Sequence, residues 1–168
     1  MDKQVNNNPE DRDRGQIIEI YKAYLQMSDK ISDRRQPANS YFLTINTAIV
    51  GLISYMSFGG AVKNYHPFYC LISIAGMVIC YSWYRLIRSY KDLNSGKFKV
   101  VHEIEKQLPI SPFDDEWEML GRGKDKSKYL PFTKIEMRVP WIFFTLHAIV
   151  FLISIPLQWV LHLFSKAG

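Results

Sequence analysis

The sequence predicts an all-α integral membrane protein, with three transmembrane helices per protomer, a cytoplasmic helical region and assembly as a homo-oligomer. Three observations carry that expectation. Residues 38–58, 67–84 and 139–165 contain no Asp, Glu, Lys or Arg. A helix of about 20 residues rises roughly 30 Å, the thickness of a bilayer hydrocarbon core. Aromatic residues and cations gather at the ends of these runs: Tyr81, Trp83 and Tyr84 before Arg85 and Arg88, and Trp141 and Trp159 in the last run. That is the pattern of an interfacial belt. Third, the cations divide by side. Residues 1–35 hold seven Lys and Arg, 85–138 hold twelve, and the loop 59–66 and the tail after Phe164 hold one each. Nineteen of 21 thus fall on one side of a three-span chain, which the positive-inside bias makes cytoplasmic. Three core helices of a soluble domain fit less well, because too little polar chain remains to cover them. The mean hydropathy is only −0.11 because charged segments dilute the apolar runs.

Taken in order, residues 1–15 read as a disordered cytoplasmic tail without the apolar stretch of a signal peptide. Residues 16–35 form a cytoplasmic amphipathic helix whose stripe is Ile20, Tyr24, Met27 and Ile31. Its seven acids and seven bases over residues 1–35 gain little from anionic lipid, so packing against another helix is expected. Pro37 suits the first turn of a new helix, the span 37–58. An external loop, 59–66, leads to the second span, 67–88. The region 89–138 is a cytoplasmic helix extension and loop. Its apolar seam continues from the span as Leu86, Tyr90, Leu93, Val100, Ile104 and Leu108, with Lys97 between. The stretch "NSG" (Asn94 to Gly96) is a candidate kink, and "LPISP" a stop. The third span is 139–165 and the external tail 166–168. The N-terminus is expected in the cytoplasm and the C-terminus outside, in the periplasm.

The polar residues of the spans lie on seams. Ser40, Thr44, Thr47, Gly51 and Ser54 step by four, three, four and three, with Asn39 and Asn46 alongside. Ser73, Gly76 and Cys80 form a shorter stripe in the second span. Phe144, His147, Phe151, Ser154, Gln158 and His162 share a face of the third. Lipid is as apolar as Leu, so spans associate through small residues and interhelical hydrogen bonds. More seams occur than three helices need, which is the basis for expecting a homo-oligomer.

Little points to catalysis. Cys70 and Cys80 lie on one helix and match no metal spacing, and no HExxH, CxxC or nucleophile motif occurs. No enzyme activity, cofactor or metal is expected. Asp114, Asp115, Glu116 and Glu118 followed by the basic stretch 121–128 read either as a docking or metal site or as a short helix with solvated charges. The second is the simpler reading, with Ser111 as cap and Pro112 in the first helical position. Arg34, Arg35, Arg85, Arg88, Lys134 and Arg138 border the spans and are candidate contacts for lipid headgroups. His147 falls about 10 Å into the bilayer, counted from Pro140 at 1.5 Å per residue. It either bonds to a neighbouring helix or, with Ser154 and Gln158, lines an oligomer's cavity.

The stretches "ANSYFLTINTA", "YRLIRSYKDLNSGKFKVVHEIEKQLP", "EWEMLGRGKDKSKYLPFTKIEMRVPW" and "DKISDRR" resemble the RipA-like octameric membrane proteins, small bacterial integral membrane proteins of undefined biochemical activity. The resemblance covers nearly the whole chain after residue 15. It implies a homo-octamer in the bacterial cytoplasmic (inner) membrane, and supplies no catalytic or ligand-binding residue. The expected partners are other copies of the chain and membrane lipids, with room for a cytoplasmic protein partner and no nucleic acid. The function that requires least beyond these features is a scaffold or adaptor with a cytoplasmic helical crown. A channel lined by the third span is the alternative, and a membrane enzyme the more remote one.

Overall fold

A computed structural model describes residues 9–58, 66–125 and 127–155. Its elements are α1 (Pro9–Phe58), α2 (His66–Glu105), α3 (Pro112–Met119), a 3-10 turn (Gly121–Gly123), α4 (Phe132–Glu136) and α5 (Arg138–Ser154). No strand occurs among the described residues. Three helical segments, Arg12–Phe58, His66–Glu105 and Phe132–Ser154, are long and apolar enough to cross a membrane. The chain is an all-α, multi-pass membrane protein.

The helices run further than the pattern suggested. α1 is one helix of 50 residues with Pro37 inside it, where a new helix was expected to begin. The ring removes one intrahelical hydrogen bond, and an exposed proline costs about 3 kcal/mol. A helix this long absorbs that through the packing on either side. α1 also begins at Pro9, so residues 9–15 belong to a helix and not to a disordered tail. α2 passes through Asn94–Gly96 without interruption and ends at Glu105, just ahead of the proline-rich stop. Residues 59–65 and 156–168, which include Gln158, Trp159 and His162, lie outside the described residues.

The chain divides into two compact units. Unit 1 joins residues 1–35 to 90–131, and unit 2 joins 36–89 to 132–168.

In unit 1 the inward face of α1 keeps only part of the expected stripe: Ile31 is buried and Tyr24 half-buried. Ser28 is also buried, whereas Ile20 and Met27 are exposed. On α2 the buried positions are Val101 and Glu105, while Leu93 and Val100 are exposed. The true seam is displaced by one residue from the apolar one on α2. Polar residues occupy inward positions, and a search for apolar periodicity skips them.

In unit 2 the buried side chains are Asn46 and Ile53 on α1, Ser73, Cys80, Trp83 and Ile87 on α2, and Pro140, His147 and Ser154 on α5. Large apolar residues such as Leu52, Leu71, Val78, Ile142 and Ile153 point outward. A polar inside with an apolar outside is the inverse of a soluble bundle, and suits lipid as solvent.

Candidate functional site

Two polar constellations stand out, one in each unit. In unit 2, Asn46 joins three helices. Its Nδ2 donates to the carbonyl of Phe42 at 2.8 Å, which fixes the amide and turns Oδ1 away from its own helix. That oxygen accepts from the Cys80 thiol at 3.0 Å and lies 3.2 Å from Nε2 of His147. An amide oxygen takes only donors, so His147 carries its proton on Nε2. The His147 ring rests on Gly76: a Cβ placed there would fall 2.5 Å from Cε1. Seven residues before Asn46, Asn39 repeats the device, its Oδ1 accepting from Nε1 of Trp83 at 2.9 Å. Trp83 stacks on Phe42, with centroids 5.9 Å apart and planes at 6°, and meets Phe143 at 6.4 Å. Ser73 Oγ and His147 Nδ1 are buried without a hydrogen-bond partner among the described residues.

These contacts separate the seam residues into two groups. Asn39, Asn46, Ser73 and Gly76 pack the protomer's own helices. Ser40, Thr44, Thr47, Gly51 and Ser54 are exposed, and Gly51 has open space around its Cα. Ser54 returns its hydroxyl to the carbonyl of Val50 at 2.8 Å. His147 and Ser154 were weighed as cavity-lining residues. Both are buried within the single chain. His147 bonds to Asn46, and Ser154 Oγ to the carbonyl of Val150 at 2.7 Å. Cys80, treated as an ordinary small residue, is a donor in the network. Its only signal was its place on the small-residue stripe with Ser73 and Gly76.

In unit 1 the centre is Glu105, fully buried and not singled out by pattern. Its Oε1 accepts from the Tyr21 hydroxyl at 2.8 Å and from Phe113 N at 3.0 Å, and its Oε2 from Asp114 N at 3.1 Å. Phe113 and Asp114 are the second and third residues of α3, whose first amides have no intrahelical partner. Pro112 stands in the first turn as expected, but Ser111 makes no side-chain cap; Glu105 caps the helix from a distance. The carboxylate also suits the positive end of the helix. Burial, followed by the hydrogen bond to Glu105 and its charge, pushes the Tyr21 phenol above its ordinary value.

The acidic cluster spreads around α3. Asp114 Oδ1 lies 3.0 Å from Nδ1 of His102 and 3.5 Å from the Arg122 guanidinium. Arg122 Nε donates to Glu118 at 2.8 Å. That hydrogen bond, then the charge pairing, holds Glu118 below the usual carboxylate range and raises Arg122. The turn that brings Arg122 back has three successive positive φ values: 68° at Gly121, 51° at Arg122 and 68° at Gly123. Glycine supplies the outer two at no steric cost, and a Cβ on Gly123 would meet the Trp117 ring at 3.0 Å. Asp125 is lowered by hydrogen bonds from the hydroxyl and amide of Ser127, at 2.6 and 2.9 Å. The described residues contain no group of three His, Cys, Asp or Glu able to hold a metal. Of the cations bordering the spans, Arg34, Arg85, Lys134 and Arg138 are exposed, while Arg35 and Arg88 engage other groups of the chain.

The model of the octameric membrane protein family (8xMP) matches residues 18–156. The chain belongs to that family. The match takes in both constellations of this 8xMP chain, from Tyr21 through Asn46 and Glu105 to His147. No curated protein and no solved structure matches it.

Proposed function

We propose that this protein is a homo-octameric scaffold of the bacterial inner membrane, with its charged helical unit in the cytoplasm. Family membership supports the eightfold assembly, and the cation distribution supports the orientation. The observation that supports the scaffold reading is that Asn39, Asn46, Cys80, Trp83 and His147 bond to one another inside a single protomer. A conduit needs polar groups facing a shared axis; here Asn39, Asn46, Cys80 and His147 are spent on holding three helices together. Unit 1, braced by Glu105, is a folded platform outside lipid, suited to contact with copies of itself or with a cytoplasmic protein. Arg34, Arg85, Lys134 and Arg138 at the borders of the spans are placed for anionic headgroups.

The test is reconstitution. Native mass spectrometry from nanodiscs should give eight copies, and planar bilayers should show no conductance between pH 5 and 8. A pH-dependent current in assembled protein, abolished by His147→Leu, would establish the channel alternative and refute the scaffold.

A further inference from the structure

Four of the apolar residues expected to pair α1 with α2 in unit 1, Ile20, Met27, Leu93 and Val100, are instead on its surface. Lys97 Nζ lies 5.4 Å from the centroid of the Tyr24 ring, so these two residues mark where the helices meet. Ile20 and Met27 stand four before and three after Tyr24. Leu93 and Val100 stand four before and three after Lys97. By helical spacing all four flank the Tyr24–Lys97 contact on one side of the helix pair. They are 51, 48, 52 and 38 % exposed. The next residue along each helix, about 100° round its axis, looks the other way. Tyr21 and Phe98 both meet Phe113 of α3, at 6.3 and 5.9 Å. α3 thus covers one side of the pair and leaves the other open. These residues lie in charged stretches flanking the apolar runs, which the topology proposed above puts outside lipid.

We infer that this open face, Ile20, Met27, Leu93 and Val100 around Lys97, receives the Asp115–Glu116–Met119 face of α3 from the adjacent copy in the octamer. The inference rests on the homo-octamer proposed above. Copies inserted in one orientation share the membrane normal as their symmetry axis, so the ring is cyclic. A cyclic ring of eight is built from a heterologous contact, in which one surface meets a different one on the next copy. α3 supplies that different surface on the opposite side of the helix pair. Met119 is 73 % exposed, and Asp115 and Glu116, four and three residues before it, share its face and are exposed. The signs match: the open face carries Lys97, and the α3 face two acids. Apolar burial at the centre with opposite charges beside it gives both affinity and register.

Disulfide trapping tests this in the full-length protein in its membrane. Wild type, Leu93→Cys, Met119→Cys and the double variant are oxidised in parallel and run without reductant. The double variant alone should give a ladder ending at eight copies and collapsing on reduction. Covalent dimers from Leu93→Cys alone would mean that the open face meets itself, and would overturn the inference. So would a ladder running past eight, which is aggregation. A double variant that stays monomeric while native mass gives eight copies would place the contact elsewhere and leave the octamer standing. A wild type of different mass would instead remove the octamer and this contact together. Charge reversal is the second arm. Lys97→Glu and Glu116→Lys should each lower the octamer fraction, and their combination should restore it. Losses without restoration would count against the contact.

Discussion

Glu105 is the residue whose replacement tests the architecture of unit 1 most directly. In Glu105→Ala, α3 loses the acceptor for its second and third amides, and the Tyr21 hydroxyl loses its partner. Losing a helix cap costs about 0.5–2 kcal/mol. A hydrogen bond to a charged group contributes about 1.5–3 kcal/mol. Relief of the buried carboxylate's desolvation offsets part of the sum. The expected net loss is about 2–4 kcal/mol, and it falls on the docking of α3. Amide hydrogen exchange reads it at the right place: Phe113 and Asp114 should exchange roughly 30- to 1,000-fold faster, at one decade per 1.4 kcal/mol. Glu105→Gln should fall between wild type and Ala, because its amide nitrogen cannot accept from Asp114 N–H. The signature of the Tyr21 contact is its pH dependence. A phenol raised above its unfolded value of 10 keeps its full stabilisation below pH 10 and loses it as the pH climbs toward the folded value. The stability of unit 1 should therefore decline above pH 10, and Tyr21→Phe should flatten that decline. Exchange at Phe113 and Asp114 within threefold of wild type in Glu105→Ala would refute the capping argument.

Three further outcomes are expected. Gly76→Ala should destabilise the protein by about 1–3 kcal/mol through displacement of the His147 ring, whereas Gly96→Ala, with open space at its Cβ, should stabilise it by about 0.5–1 kcal/mol; thermal unfolding in detergent gives the two signs. Gly51→Leu should insert and fold as a protomer but alter the oligomer mass, since its stripe faces out; unchanged mass and stability would make that stripe lipid-facing. A reporter active only outside the cytoplasm should register when fused after Gly168 and stay silent after Lys128; matching signals at both sites would contradict three spans.

The helical class and the three apolar segments were legible because a charge-free run of about 20 residues has few other stable settings in water. The octameric family was legible from long, idiosyncratic stretches such as 84–109. The interior of unit 1 was not. Periodicity ranks residues by hydropathy, so it selected Ile20, Met27, Leu93 and Val100, while the inward positions include Ser28 and Glu105. A buried carboxylate is intelligible only with its donors, and two of those are backbone amides that carry no signal in the sequence. In the spans the small-residue stripe was visible, but which side it faced was not. The asparagines beside it turn inward because Cys80, Trp83 and His147 offer donors there, a fact written on other helices.

The Asn46 junction has a consequence for how the chain is made. When α1 leaves the ribosome, its carboxamide nitrogen already has the Phe42 carbonyl four residues back, but the oxygen waits for partners. Cys80 follows 34 residues later and His147 101 residues later. At about 5–20 residues per second, the last donor is synthesised roughly 5–20 s after the acceptor. Until Cys80 arrives the first helix carries an unpaired amide oxygen, which is costly in the bilayer, and until His147 arrives that oxygen lacks its second donor. The third helix then brings His147 against that oxygen, so the junction closes only when all three helices are together.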